Sequence, residues 1–161
     1  MSMSRIEKTR YYLNIAEEVA RRGTCIRRNY GAVIVKNDEI IATGYTGSPR
    51  GCDNCNTTGK CHREQNNIPS GTQYEQCKSV HAEMNAIISA KRSDMLGSKM
   101  YIYGFDAKTG LPIETHPCML CKKMIINAGI ELVIVSTPYE NQCRAESSEQ
   151  YIKEINEMNT K

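Results

Sequence analysis

Two short segments constrain this chain more than any other feature: His81-Ala82-Glu83 and Pro117-Cys118-Met119-Leu120-Cys121. Each opens a predicted helix, and a predicted strand lies between them. From His81 to about Lys91 the apolar residues Met84, Ile87 and Ile88 recur on one face, with Ser79 as the expected N-cap. Pro117 suits a first helical position, Cys118 to Ala128 continue the helix, and Gly129 ends it. The i, i+3 spacing places Cys118 and Cys121 on one helix face, aimed at a single point. A fold for this sequence has to bring these two helix starts together.

Around them the chain alternates between helical and strand periods. Ser4-Arg5-Ile6-Glu7 fits a capping box, and Tyr12, Leu13, Ala16, Val19 and Ala20 follow at helical spacing up to Gly23, so a first helix is expected over about 5–22. Residues 31–35 and 39–44 flank Lys36-Asn37-Asp38 and read as a hairpin. Short strands are expected over 99–103 and 131–135. Tyr151, Ile152, Ile155 and Met158 suggest a C-terminal helical tail over about 145–161. Parallel strands need crossover helices, so this order implies an α/β chain: a three-layer α/β/α sandwich with a mixed central sheet. A single domain is expected over 1–161, because a chain of 161 residues buries about two thirds of its unfolded surface in one core.

Residues 45–78 break the pattern. They hold little periodicity and much Gly, Asn, Thr and Cys, and a loop of that length needs something other than a core to organise it. The chain has eight cysteines, which read as metal ligands or isolated thiols in a reducing compartment and as disulfides in a secreted protein. Residues 1–10 are polar, without the apolar core of a secretion signal, and no run approaches the roughly 18 apolar residues of a membrane span. A cytoplasmic protein with no membrane partner is therefore expected. Its 21 basic and 18 acidic residues are spread along the chain for a net +3, which disfavours nucleic acid and leaves phosphorylated small molecules open as partners.

His81, Cys118 and Cys121 supply three ligands of a kind that suits zinc, and a catalytic zinc takes three while a structural one takes four. Thiolate ligands are favoured at helix starts, where unpaired N–H groups and the positive dipole end lie. Glu83, two residues beyond the histidine, is then free to move protons: from water to a ring nitrogen, and next to a departing amine. The competing interpretation is a structural zinc closed by another cysteine. It leaves Glu83 without a task.

With H-x-E followed by P-C-x-x-C on the page, the chain resembles the cytidine and deoxycytidylate deaminases, especially the deoxycytidylate deaminases of bacteria and phages. The likeness runs from about Arg5 to Tyr139 through Cys25-Ile26-Arg27, residues 31–35, Gly44-Tyr45-Thr46-Gly47, Val80 to Ala86 and Pro117 to Cys121. The resemblance implies the cytidine deaminase-like form of the α/β/α fold and a zinc-dependent hydrolytic deamination of dCMP to dUMP and ammonia. It also implies a homo-oligomer, often a hexamer, under allosteric control by deoxynucleoside triphosphates. Some relatives carry a second, structural zinc. Matching their motifs assigns it to Cys25, Cys55 and Cys77, with Cys61 standing close to where a relative has histidine, and with Cys52 and His62 as competing ligands. By the same resemblance Arg27, Thr46, Ala82 and Tyr139 contact substrate, and Arg28 adjoins Arg27 as a second cation for a 5′-phosphate.

This chain also departs from its relatives. Thr46 stands where they carry asparagine and lacks the amide's two-ended reach, so another base, nucleoside, nucleotide or RNA base remains an alternative substrate. Residues 104–116 form a longer approach to Pro117, in which His116 is expected to face solvent rather than substrate. Arg21 and Arg22 are read as cations complementing the first helix's dipole. A third alternative is a zinc-binding structural protein without catalysis.

Overall fold

The computed structural model describes residues 4–158. Its centre is one five-stranded sheet in the order β2-β1-β3-β4-β5. Strands β1 (Arg28–Lys36) and β2 (Glu39–Tyr45) form the expected hairpin. Asn37 and Asp38 at its tip both take positive φ, 50° and 65°, the backbone that a two-residue turn between twisted strands requires. Strand β3 (Ser98–Asp106) runs antiparallel to β1 and parallel to β4 (Ile130–Ser136), and β5 (Cys143–Ser147) closes the far edge antiparallel to β4. The sheet is mixed, as expected.

Side-chain alternation along the central strands builds two cores. Ala32, Ile34, Met100, Ile102, Val133 and Val135 face one way and pack with Ala82, Ala86, Cys121, Ile125 and Tyr151 of α4 (Ala82–Ile88), α6 (Met119–Ala128) and α7 (Ser148–Glu157). Val33, Val35, Tyr101 and Ile134 face the other way and meet Tyr12, Leu13 and Ala16 of α1 (Lys8–Ala20). Each fully buried aliphatic side chain contributes about 1.5–3 kcal/mol of burial free energy. Helices on both faces make the three layers. The connection from β3 to β4 passes through α6, the crossover that a parallel pair needs.

Several boundaries differ from the sequence expectations. Helix α1 is capped by Glu7, whose carboxylate accepts from the Arg10 N–H at 3.0 Å, so the Ser4 capping box is not formed. The helix ends at Arg21, before Gly23, and Arg21 pairs with Glu17 at 2.8 Å. Helix α4 is capped by His81 rather than Ser79 and stops at Ser89, after which α5 (Arg92–Met95) adds a separate turn. Pro117 stands one residue ahead of the α6 cap, Cys118, while Gly129 ends the helix at φ 81° as expected. Residues 145–147, expected in the C-terminal helical tail, belong to strand β5; residues 159–161 of that expected tail lie outside the described residues. The approach to Pro117 is a hairpin rather than an open loop. Strand β3 continues to Asp106, Phe105 bridges Pro112, and the Asp106 carboxylate accepts from the Lys108 and Thr109 N–H groups at 2.9 Å each.

Within the cysteine-rich stretch, α2 (Cys55–Thr58), α3 (His62–Gln65) and a 3₁₀ turn at Tyr74–Gln76 supply the only helical structure. Arg63 organises it. Its side chain is buried, donating from Nη1 to the Gln73 carbonyl at 2.7 Å and from Nη2 to the Pro69 carbonyl at 2.8 Å. Among the described residues, no helix is long and apolar enough to cross a membrane.

Candidate active site

The antiparallel registers gather the start of β1, the end of β2 and the end of β3 at one edge of the sheet, since Arg28 lies opposite Asp106 and Gly31 opposite Tyr45. Helix α6 begins just beyond the end of β3, and α4 packs across β1 and β2. Their two N-terminal ends therefore meet at this edge. His81 caps α4 and Cys118 caps α6, both in extended backbone and neither making a side-chain capping bond. The first N–H groups of each helix are left to face the site, where they favour negative sulfur.

His81 Nδ1 lies 3.5 Å from Cys118 Sγ and 3.4 Å from Cys121 Sγ. A tetrahedral zinc with bonds of about 2.3 Å to sulfur and about 2.0–2.1 Å to nitrogen would set such atoms about 3.6 Å apart. The three side chains thus fit the ion they were expected to hold. Among the described residues they are the one group of three His, Cys, Asp or Glu side chains whose ligand atoms all lie within 4.8 Å of one another. The electrostatics split the two thiols. The Cys118 sulfur is pulled down to about 4, first by its bond with the Cys121 thiol and then by His81, while Cys121 is pushed up by that same bond and by burial. His81 is raised by its contact with Cys118 against the opposing effect of burial.

Glu83 sits in the first turn of α4, only 6 % exposed, and lines the same cavity as His81 and Cys118. Burial pushes its carboxyl above the usual carboxylate range, with its own N–H and nearby His81 acting the other way. A buried carboxyl in this position is placed both to accept and to give protons within the cavity.

The cavity, of about 160 Å³, runs from this group to the insert. Arg27, Arg28, Tyr30, Thr46, Arg63, Tyr74 and His116 line it. Arg27 is held by Glu64 at 3.3 Å. Thr46 is buried, and its Oγ1 accepts from the Tyr30 N–H at 3.1 Å, tying the end of β2 to the start of β1. Ala82 is fully buried in the core at the start of α4 and is not on the cavity wall. Tyr139 is 68 % exposed in the turn after β4, away from the cavity. His116, expected to face solvent, does so with about half of its side chain and lines the cavity with the rest; Arg144 Nη2 lies 2.9 Å and Glu146 Oε1 3.4 Å from its Nδ1.

Cys25, Cys61 and Cys77 line the insert end of the cavity, and buried Cys55 lies close enough to have its thiol pushed up by burial and by all three. These four do not form a set as tight as the His81 group. Their competitors Cys52 and His62 are exposed. Sequence reasoning missed Arg63 and Tyr74. No periodicity marks either one, and a lone arginine in a polar loop reads as solvated.

The model of the cytidine and deoxycytidylate deaminase zinc-binding region matches residues 6–137. A deoxycytidylate deaminase of Mycobacterium phage D29 is 34 % identical over 136 residues, covering 82 % of this chain and 96 % of the phage protein. One from Schizosaccharomyces pombe is 35 % identical over 129 residues, covering 80 % of this chain, which spans 37 % of that protein's length. Among solved structures, the dCMP deaminase of cyanophage S-TIM5 in complex with dCMP and dUMP aligns with a TM-score of 0.56 and 27 % identity over 83 % of each chain. With the family's zinc-binding region matched over residues 6–137 and a phage relative matched over nearly its whole length, this chain belongs to the cytidine and deoxycytidylate deaminase family.

Proposed function

We propose that this protein is a hydrolytic deaminase that converts dCMP to dUMP and ammonia. One observation carries the proposal: a buried carboxyl, Glu83, shares a cavity with a triad of zinc-type ligands, and Arg27 and Arg28 line the same cavity. His81, Cys118 and Cys121 would hold the metal. Zinc bound there would supply a Lewis acid that makes water acidic enough to act as a nucleophile near neutral pH. Glu83 accepts a proton from that water and passes it to the pyrimidine ring nitrogen beside the amine-bearing carbon, which becomes electrophilic. Water's oxygen bonds to that carbon. Glu83 then takes the proton of the new hydroxyl and gives it to the amine, the C–N bond breaks, ammonia leaves, and a carbonyl remains. Arg27 and Arg28 pair with the 5′-phosphate, for which Arg27 must leave Glu64.

The Cys25, Cys55, Cys61 and Cys77 cluster is read as a second zinc site that anchors the insert. Homo-oligomerisation fits Ile88 and Leu120, exposed at 70 % and 44 % on neighbouring helices α4 and α6. Cytoplasmic placement and a deoxynucleoside triphosphate effector complete the reading by family resemblance.

A second reading keeps the chemistry and changes the substrate. It is favoured by Thr46, whose side-chain oxygen accepts from the Tyr30 N–H at 3.1 Å and donates to the Tyr30 carbonyl at 3.5 Å, which leaves one lone pair for a sugar hydroxyl. Ammonia release from cytosine, guanine and adenine compounds, each as base, nucleoside and nucleotide, separates the two. The proposal expects dCMP to give the highest kcat/KM, and a higher value for any compound other than a cytosine nucleotide overturns it.

A further inference from the structure

Metal-bound histidines usually donate their second ring N–H to a carboxylate or carbonyl, and that bond fixes the ring's orientation. His81 departs from this pattern. Among the described residues its ring hydrogen bonds run through Nδ1 to the two cysteines, and the ring packs instead against Tyr74, with centroids 5.1 Å apart and planes at 87°.

Tyr74 is itself held. The Arg63 guanidinium carbon lies 5.4 Å from the Tyr74 ring centroid, within the range of a cation–π contact. The same guanidinium grips the Gln73 and Pro69 carbonyls, so the residue just before Tyr74 is fixed as well as its ring. Gln73 takes a left-handed backbone, φ 47° and ψ 51°, which a side-chain-bearing residue adopts only under constraint. Arg63 is 5 % exposed and forms no ion pair with a carboxylate among the described residues. A buried cation satisfied only by carbonyls and a ring is costly to place, and the mechanism above gives it no proton or bond to handle.

We propose that Arg63 and Tyr74 are positioning residues for His81. The insert thereby orients a metal ligand from outside the two metal-binding segments. The inference rests on the reading of His81, Cys118 and Cys121 as the zinc ligands. Arg63 forks to two carbonyls and stacks on the ring; a lysine offers a point charge and cannot do all three. Tyr74 acts through its ring face and edge, so phenylalanine should replace it and a small side chain should not.

The test is zinc release to a chromogenic chelator, taking the kinetic phase that Cys121→Ser abolishes as the His81 site, with the visible spectrum of the cobalt-substituted protein as a second readout. Tyr74→Phe is expected to match the parent in both. Tyr74→Ala and Arg63→Met are expected to release zinc about 10–100-fold faster, the range for lost supporting contacts around a metal. Both should shift the cobalt bands and lower kcat more than they raise KM. Parent-like release and spectra in Tyr74→Ala overturn the inference even if Arg63→Met fails to fold, and so does a Tyr74→Phe defect equal to that of Tyr74→Ala. If Cys121→Ser abolishes no phase, the metal assignment fails and this inference falls with it.

Discussion

Gly44→Ala tests whether the sheet sets the position of α4, the helix that carries His81 and Glu83. A Cβ built on Gly44 would lie 2.2 Å from the Ala86 nitrogen and 2.4 Å from the Ala82 carbonyl oxygen, both main-chain atoms of α4. Comfortable contact needs about 3.5 Å, so α4 and β2 must separate by about 1 Å or more. His81 caps that helix and Glu83 lies in its first turn. Overpacking of this kind costs about 1–3 kcal/mol of stability, and a displacement of about 1 Å at reacting groups costs about 100-fold in rate. Gly31→Ala is the matched control. Its Cβ would lie 2.1 Å from the Ala16 oxygen and 2.5 Å from the Ala20 nitrogen, but these belong to α1 on the opposite face of the sheet. Urea unfolding and kcat, measured on both variants, should show similar losses of stability, with the large loss of kcat confined to Gly44→Ala. Equal losses of kcat in the two variants, or parent activity in Gly44→Ala, would refute the close-packing argument.

Elemental analysis of the purified protein should find about two zinc ions per chain. Cys118→Ser should lose one with all activity, and Cys61→Ser the other; a single ion that disappears in Cys118→Ser would remove the second site. Asp38 gives a pH test at the hairpin tip, away from the candidate metal site. Its carboxyl is held below the usual range, first by the Tyr12 hydroxyl at 2.6 Å and then by Lys8 at 3.0 Å, and the same contact pushes the Tyr12 hydroxyl up to about 12. A depressed carboxyl stabilises the fold above its unfolded pKa of about 3.9, and this stability is lost as pH falls through the lower folded value. Urea midpoints from neutral pH to pH about 3 should therefore decline less steeply in Asp38→Asn than in the parent. Parallel curves would show that the Tyr12 contact adds nothing to stability.

What the sequence revealed, and what it hid, follows from which forces leave a pattern. Strands β1, β3 and β4 were legible as short apolar runs because both sheet faces are buried, by α1 on one side and by α4, α6 and α7 on the other. His81, Cys118 and Cys121 were legible because helix periodicity places their ends and their chemistry is specific. Strand β5 was not, since Cys143-Arg144-Ala145 are exposed and the strand is held by backbone pairing to β4. The continuation of β3 past Tyr103 was hidden for a similar reason, its turn being closed by the Asp106 carboxylate and main-chain bonds. Helix α1 could be capped by Ser4 or Glu7 on local grounds, and Glu7 takes the role. In the insert, Arg63 replaces a hydrophobic core with bonds to distant carbonyls, an arrangement that only the folded chain displays.

The most direct measurement is deamination of dCMP by Glu83→Gln, made alongside its zinc content. Glutamine keeps the size of the buried side chain and removes its ability to carry a proton. Parent-level zinc is expected, with ammonia and dUMP formation reduced by about 100- to 10,000-fold. Parent-level turnover in a zinc-loaded Glu83→Gln protein would contradict it.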